Sequence, residues 1–125
     1  MEKKITVLLI EDDPDQIFMY QTKFELEGFS FLSARKSSEG ISFAKTKNPD
    51  IILLDLVLIA ESGLDVLEVL KRDVTTQSIP VLILTNLVKK EAMQKAKELG
   101  AIDFLIKTDT VPSAVVAKVK EVLNK

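Results

Sequence analysis

No cysteine, histidine or tryptophan occurs in the 125 residues, and glycine and proline number only four each. Without thiols the chain forms no disulfide, no zinc-thiolate centre and no cysteine nucleophile. Without imidazole it lacks the commonest general base and metal ligand, and it carries no phosphohistidine of its own. No internal repeat, low-complexity tract or linker interrupts it, and no apolar run is long enough to span a bilayer. The start, Met1-Glu2-Lys3-Lys4 before a six-residue apolar-rich run, is too short and wrongly built for a signal peptide, so a cytoplasmic location away from membranes is expected. The formal charge is only -2, with acids in excess up to residue 75 and bases after it, and neither part is basic enough to predict direct nucleic-acid binding.

What is present is 46% hydrophobic and 29% charged residues, the balance of a soluble globular domain. The length suits one domain, residues 1–125, with no second or output domain. Ile51-Ile52-Leu53-Leu54 reads as a short strand buried on both faces, and it ends abruptly in Asp55. Similar runs are Ile5 to Ile10, ending in Glu11, Asp12 and Asp13; Phe29 to Ala34; Val81 to Leu84, ending at Thr85-Asn86; and Ile102 to Ile106, ending in Lys107. Helical stripes lie between and after them: Ile17, Tyr20 and Phe24; Ile41 and Ala44; Leu64, Leu67 and Leu70; Ala92, Ala96 and Leu99; Val115, Val119 and Val122. Asp13, Ser37 or Ser38, and Asp109 or Thr110 are candidate helix caps, Pro14 and Pro112 suit helix starts, and Gly28 and Gly100 suit helix stops. The residues from Asp55 to Ser62 read as a loop. Five strands alternating with five helices, each crossover long enough for a parallel connection, describe an α/β domain with helices on both faces.

In such a doubly wound sheet, functional groups gather where the strands end. That rule brings together Glu11, Asp12, Asp55, Thr85 and Lys107. Clustered carboxylates repel unless a cation shares the site, and an oxygen-rich set suits Mg²⁺. A hydroxyl and an ammonium opposite them complete a ring able to stabilise a transferring phosphoryl group.

These residues resemble the receiver domain of two-component response regulators, over essentially the whole chain. Leu8-Leu9-Ile10-Glu11-Asp12-Asp13-Pro14 matches its acidic-pair motif, Pro49-Asp50-Ile51-Ile52-Leu53-Leu54-Asp55-Leu56 its acceptor strand, Ile79-Pro80-Val81-Leu82-Ile83-Leu84-Thr85 its switch-hydroxyl strand, and Gly100-Ala101-Ile102-Asp103-Phe104-Leu105-Ile106-Lys107 its lysine strand. The resemblance implies a flavodoxin-like (βα)5 fold with strand order 2-1-3-4-5. It implies Asp55 as phosphoacceptor, with a partner phosphohistidine on a sensor histidine kinase or histidine phosphotransfer protein as donor. Mg²⁺ would be held by Asp12, Asp55, the Val57 backbone carbonyl and, through water, Glu11, while Lys107 and Thr85 bind phosphate oxygens. Thr85 would move toward the phosphate, Phe104 would turn inward, and the surface of the last two helices would present the change to an unknown downstream protein. The chain would then catalyse only its own phosphorylation and dephosphorylation and would not be an enzyme otherwise.

This sequence departs from the family pattern at named places. Ile59 stands where a proline often lies four residues after the acceptor, and Thr108 stands where a cis-proline usually follows the lysine. A trans Lys107-Thr108 bond is expected, because a cis bond to a non-proline residue costs about 2.5–4 kcal/mol. Val57 and Leu87 are apolar and unable to orient a water, which predicts slow self-dephosphorylation. Two other readings compete. A degenerate receiver would act only as a phosphorylation-independent binding module, against which the intact Glu11, Asp12, Asp55, Thr85 and Lys107 argue. A related Mg²⁺-dependent phosphohydrolase would need a second acid two residues after the nucleophile, where Val57 stands.

Overall fold

Five of the apolar runs pair into one parallel sheet in the computed structural model, which describes residues 4–59 and 61–124. Met1, Glu2 and Lys3, where the signal-peptide question arose, lie outside the described residues. In chain order the elements are β1 (Thr6–Ile10), α1 (Pro14–Leu26), β2 (Ser30–Ala34), α2 (Ser37–Lys47), β3 (Ile51–Leu54) and the two-residue strands β4 (Val57–Leu58) and β5 (Glu61–Ser62). Then come α3 (Gly63–Arg72), β6 (Val81–Thr85), α4 (Lys90–Glu98), β7 (Asp103–Ile106), a single 3-10 turn at Lys107–Asp109, and α5 (Pro112–Val122). The large sheet runs β2-β1-β3-β6-β7 with every pair parallel. Counted among its own five strands this is the order 2-1-3-4-5 of a flavodoxin-like fold.

Alternation along the strands divides the core into two layers. Leu8, Ile10, Ile52, Leu54 and Ile83 pack with Val66, Leu67 and Leu70 of α3 and Ala96 of α4. Val7, Leu9, Ile51, Leu53, Leu82 and Leu84 face the opposite way, onto Ile17, Tyr20 and Phe24 of α1 and Val115, Val116 and Val119 of α5. Because both faces of each central strand are covered, its middle is an unbroken apolar run, with polar residues only at the ends such as Thr6 and Thr85. Each fully buried Leu, Ile or Val contributes about 1.5–3 kcal/mol by leaving water.

Several local expectations change. The segment after Asp55 is a miniature antiparallel hairpin, pairing Val57 with Ser62 and Leu58 with Glu61, rather than a plain loop. Neither Ser37 nor Ser38 caps α2: Lys36 occupies the cap position without a side-chain bond. Ser37 instead gives its N–H (3.2 Å) and its hydroxyl to Glu61 of the hairpin. Val111 precedes α5, and neither Asp109 nor Thr110 caps it; Pro112 at the helix start needs no N–H partner there. Asp13 does cap α1, accepting from Asp15 and Gln16, and Gly28 and Gly100 end their helices at φ 90° and 105°.

Candidate functional site

Strand register decides which side chains meet. Ile10 pairs with Leu54, so the next residues on two adjacent strands, Glu11 and Asp55, emerge side by side at the carboxyl edge. Leu54 pairs with Ile83, which carries Thr85 slightly beyond Asp55 on the other neighbour, and Thr85 pairs with Ile106, which places Lys107 just past it. Glu11, Asp55 and Thr85 are buried, and the Lys107 side chain is 8% exposed.

The acceptor carboxylate is held by donors on both oxygens. Asp55 Oδ1 accepts from the Thr85 hydroxyl at 2.6 Å and from the Val57 N–H at 3.0 Å. Its Oδ2 accepts from Lys107 Nζ at 2.7 Å, and the same ammonium donates to Glu11 Oε2 at 2.8 Å. The Leu87 N–H in turn donates to Thr85 Oγ1 at 3.2 Å, fixing the hydroxyl's direction. Among the described residues no peptide bond is cis, so the Lys107-Thr108 bond is trans as expected, and the lysine still points into the site.

Two acids share one lysine. Burial pushes the Glu11 carboxyl up to about 7, the hydrogen bond to Asp55 adds to this, and Lys107 pulls the other way. For Asp55, burial raises the pKa, but hydrogen bonds from Glu11, Lys107, Thr85 and the Val57 N–H outweigh it and hold the group below its ordinary value. Burial likewise disfavours the Lys107 ammonium, and its bonds to Asp55 and Glu11 overcome that cost. The two environments thus push the pair apart, Glu11 toward the protonated form and Asp55 toward the carboxylate. In an unfolded chain Glu11 would lose its proton near 4.5, earlier than in the fold, so this group's contribution to stability falls as pH rises from 4.5 to about 7. Denaturant melts in chelating buffer should show that decline, and Glu11→Gln should flatten it. An unchanged slope in the variant contradicts the assignment.

Asp12 stands apart from this pair. Its Oδ2 accepts from the Ile59 N–H at 2.6 Å, and its main-chain carbonyl accepts from Arg35 Nε at 3.2 Å. Among the described residues no three Asp, Glu, His or Cys side chains converge closely enough to hold a metal ion. The donor chemistry nonetheless fits a hard divalent cation: two buried carboxylates have one lysine between them, and a third carboxylate is on the adjoining residue.

Thr85 already touches the Asp55 carboxylate, its hydroxyl donating to Oδ1 at 2.6 Å. Phe104 is half-buried and packs against the sheet face that carries α3 and α4. It also lines an open groove of about 790 Å³ between α4 and β7, together with Met93, Lys97 and Ala101. The sequence reading did not anticipate the Val57 and Ile59 N–H donors, or Gly63, whose Cβ position lies 2.2 Å from the Asp55 carbonyl oxygen. Only the spacing from Asp55 to the start of α3 hinted at that close approach.

The site is thus a lysine-bound acid pair at the carboxyl edge of a doubly wound parallel sheet. The chain belongs to the response regulator receiver domain family, whose model matches residues 7–120. It is 31% identical over 120 residues to the phosphate regulon transcriptional regulatory protein PhoB of Pseudomonas aeruginosa, covering 96% of this chain and 52% of that protein. It is 29% identical over 101 residues to protein PilH of the same organism, covering 81% of this chain and 84% of PilH. The chain thus spans about half the length of the PhoB relatives it matches. The CheY-like receiver domain protein of Methanospirillum hungatei JF-1 superposes with a TM-score of 0.91 at 20% identity, over 98% of this chain and 95% of that one, a likeness of fold.

Proposed function

We propose that Asp55 accepts a phosphoryl group from a phosphohistidine on a sensor histidine kinase or histidine phosphotransfer protein. An Asp55 oxygen attacks phosphorus as the phosphorus–nitrogen bond to the partner imidazole breaks, leaving an acyl phosphate on this chain and a free histidine on the donor. The observation that carries this reading is the buried Asp55 carboxylate held between Lys107 at 2.7 Å and Thr85 at 2.6 Å. Both donors now occupy the oxygens of the nucleophile, and both are placed to transfer to phosphoryl oxygens as the bond forms. Asp12, Asp55, the Val57 carbonyl and, through water, Glu11 would hold Mg²⁺. Bound there, the ion supplies charge neutralisation for the transferring group.

Added charge of about -1.5 to -2 at Asp55 would pull on Thr85 and Lys107, which anchor the ends of β6 and β7. The groove beside Phe104, between α4 and β7, is the surface that responds, and it would meet a protein target rather than nucleic acid. Among the described residues no helix is long and apolar enough to cross a membrane, and a cytoplasmic location fits a partner kinase on that side. The chain's catalysis is confined to its own phosphorylation and dephosphorylation.

The test is incubation with Mg²⁺ and a small phosphodonor, read by intact mass. One added phosphoryl group is expected; no gain with any donor favours the binding-module reading, and steady phosphate release from monoesters favours a hydrolase. The modification should also last. Val57 is 57% exposed yet apolar, and the Leu87 N–H is committed to Thr85, so neither residue orients an attacking water. A lifetime of many minutes in Mg²⁺ is expected, and decay within seconds contradicts it.

A further inference from the structure

We infer that Asn86 is a positioning residue for Lys107, acting through the Thr108 backbone. The inference rests on the phosphoacceptor reading above. The Thr108 N–H donates to Asn86 Oδ1 at 2.9 Å. Thr85 and Ile106 are the last residues that β6 and β7 pair, so the ladder stops one residue short of Lys107. Asn86 extends that ladder with a side chain: its amide oxygen takes the place of the main-chain acceptor that β6 no longer offers.

The consequence is geometric. Residue 106 is held by its pairing with Thr85 at the end of β6 and residue 108 by Asn86, the next residue in the chain, so Lys107 is clamped from both sides. A lysine has four rotatable side-chain bonds, and its ammonium reaches Glu11 at 2.8 Å and Asp55 at 2.7 Å only if its Cα is fixed. The 3-10 turn after β7 ends on a long bond, Thr110 N–H to the Lys107 carbonyl at 3.3 Å, so the Asn86 contact at 2.9 Å is the tighter anchor on this segment. A proline at 108 would carry no N–H and could not use this anchor. The tether also joins the two donors of the site. Thr85 bonds Asp55 and the next residue holds the Lys107 loop, so a shift of this short segment moves both.

The experiment compares wild type, Asn86→Ala, Thr108→Pro and the double variant for phosphorylation by phosphoramidate in Mg²⁺, alongside the Lys107 ammonium resonance in ¹⁵N-lysine protein without phosphodonor. Asn86→Ala should lower the maximal rate about three- to tenfold, the worth of one hydrogen bond, with little change in half-saturation. It should also shift or broaden the Lys107 resonance, and Asn86→Asp, which keeps the acceptor, should restore that resonance. In the Thr108→Pro background, Asn86→Ala should change the rate by less than about twofold, because the donor is already gone. An unchanged rate and resonance in Asn86→Ala, or the same loss in both backgrounds, would overturn the tether. Failure of the phosphoacceptor reading looks different: wild type itself gains no phosphoryl group, while the resonance comparison still decides whether Asn86 holds Lys107.

Discussion

Asp55→Asn protein is expected to take up no phosphoryl group from any donor while remaining folded. The amide matches the carboxylate in shape and offers Oδ1 to Thr85 and the Val57 N–H, which now donate to Asp55 at 2.6 and 3.0 Å. It lacks the charge that makes the group a nucleophile. Its loss also changes Glu11, whose pKa of about 7 comes first from burial and then from the hydrogen bond to Asp55. With a neutral neighbour and Lys107 to itself, Glu11 should move back toward the ordinary carboxylate range, which carbon NMR of the labelled side chain reads directly. A variant that is unlabelled because it is unfolded would also return Glu11 to the ordinary range but would show no cooperative melt, so the melt separates the two causes.

Gly63→Ala should be the most damaging small change outside the acidic pair. A Cβ built at Gly63 lies 2.2 Å from the Asp55 carbonyl oxygen and 2.6 Å from Leu56 Cα. Both obstacles are main chain, so no rotamer change relieves them, and either the start of α3 or the end of β3 must move. The same residue donates its N–H to the Leu56 carbonyl at 2.9 Å, which ties the helix start to the segment just past β3. Overpacking against backbone is expected to cost about 3 kcal/mol, or more. For a domain of this size that is a fall of about 10 °C in Tm. Phosphorylation should slow as well, because displacing the Asp55 backbone misaligns bonds that depend on fractions of an ångström. Gly40 offers an internal contrast, since a Cβ there meets the movable end of the Ile10 side chain at 2.6 Å. Gly40→Ala should therefore be the milder of the two by differential scanning calorimetry, and equal losses would contradict the distinction.

The strands and the acid, hydroxyl and lysine at their ends were legible because one physical rule writes both. The middle of a strand covered on both faces is apolar, so the first polar residue after the run marks the sheet's edge. Glu11, Asp55, Thr85 and Lys107 each announce themselves in that way. The helices follow from stripes such as Ile17, Tyr20 and Phe24, which are all buried.

What stayed hidden was carried by groups that any residue type supplies. The Ile59 N–H on Asp12, the Val57 N–H on Asp55 and the Thr108 N–H on Asn86 are backbone donors, visible in the sequence only as the absence of proline. The β4–β5 hairpin pairs two residues per strand, too few to show a period of two. The cap of α2 was misread because Ser37 is engaged by Glu61, twenty-four residues later in the chain, and local capping chemistry does not report a distant competitor. Asp12's orientation was hidden for the same reason: its neighbour in sequence faces Lys107, while it faces Ile59.

The most direct measurement of the central claim is chemical trapping of the phosphorylated residue. After incubation with Mg²⁺ and phosphoramidate, borohydride reduction converts an aspartyl phosphate to homoserine, and peptide mass spectrometry locates it. The geometry predicts homoserine at position 55 and at no other acid. Reduction at residue 12 or 13, or a phosphoryl group on a hydroxyl that resists borohydride, would contradict the assignment of Asp55 as the acceptor.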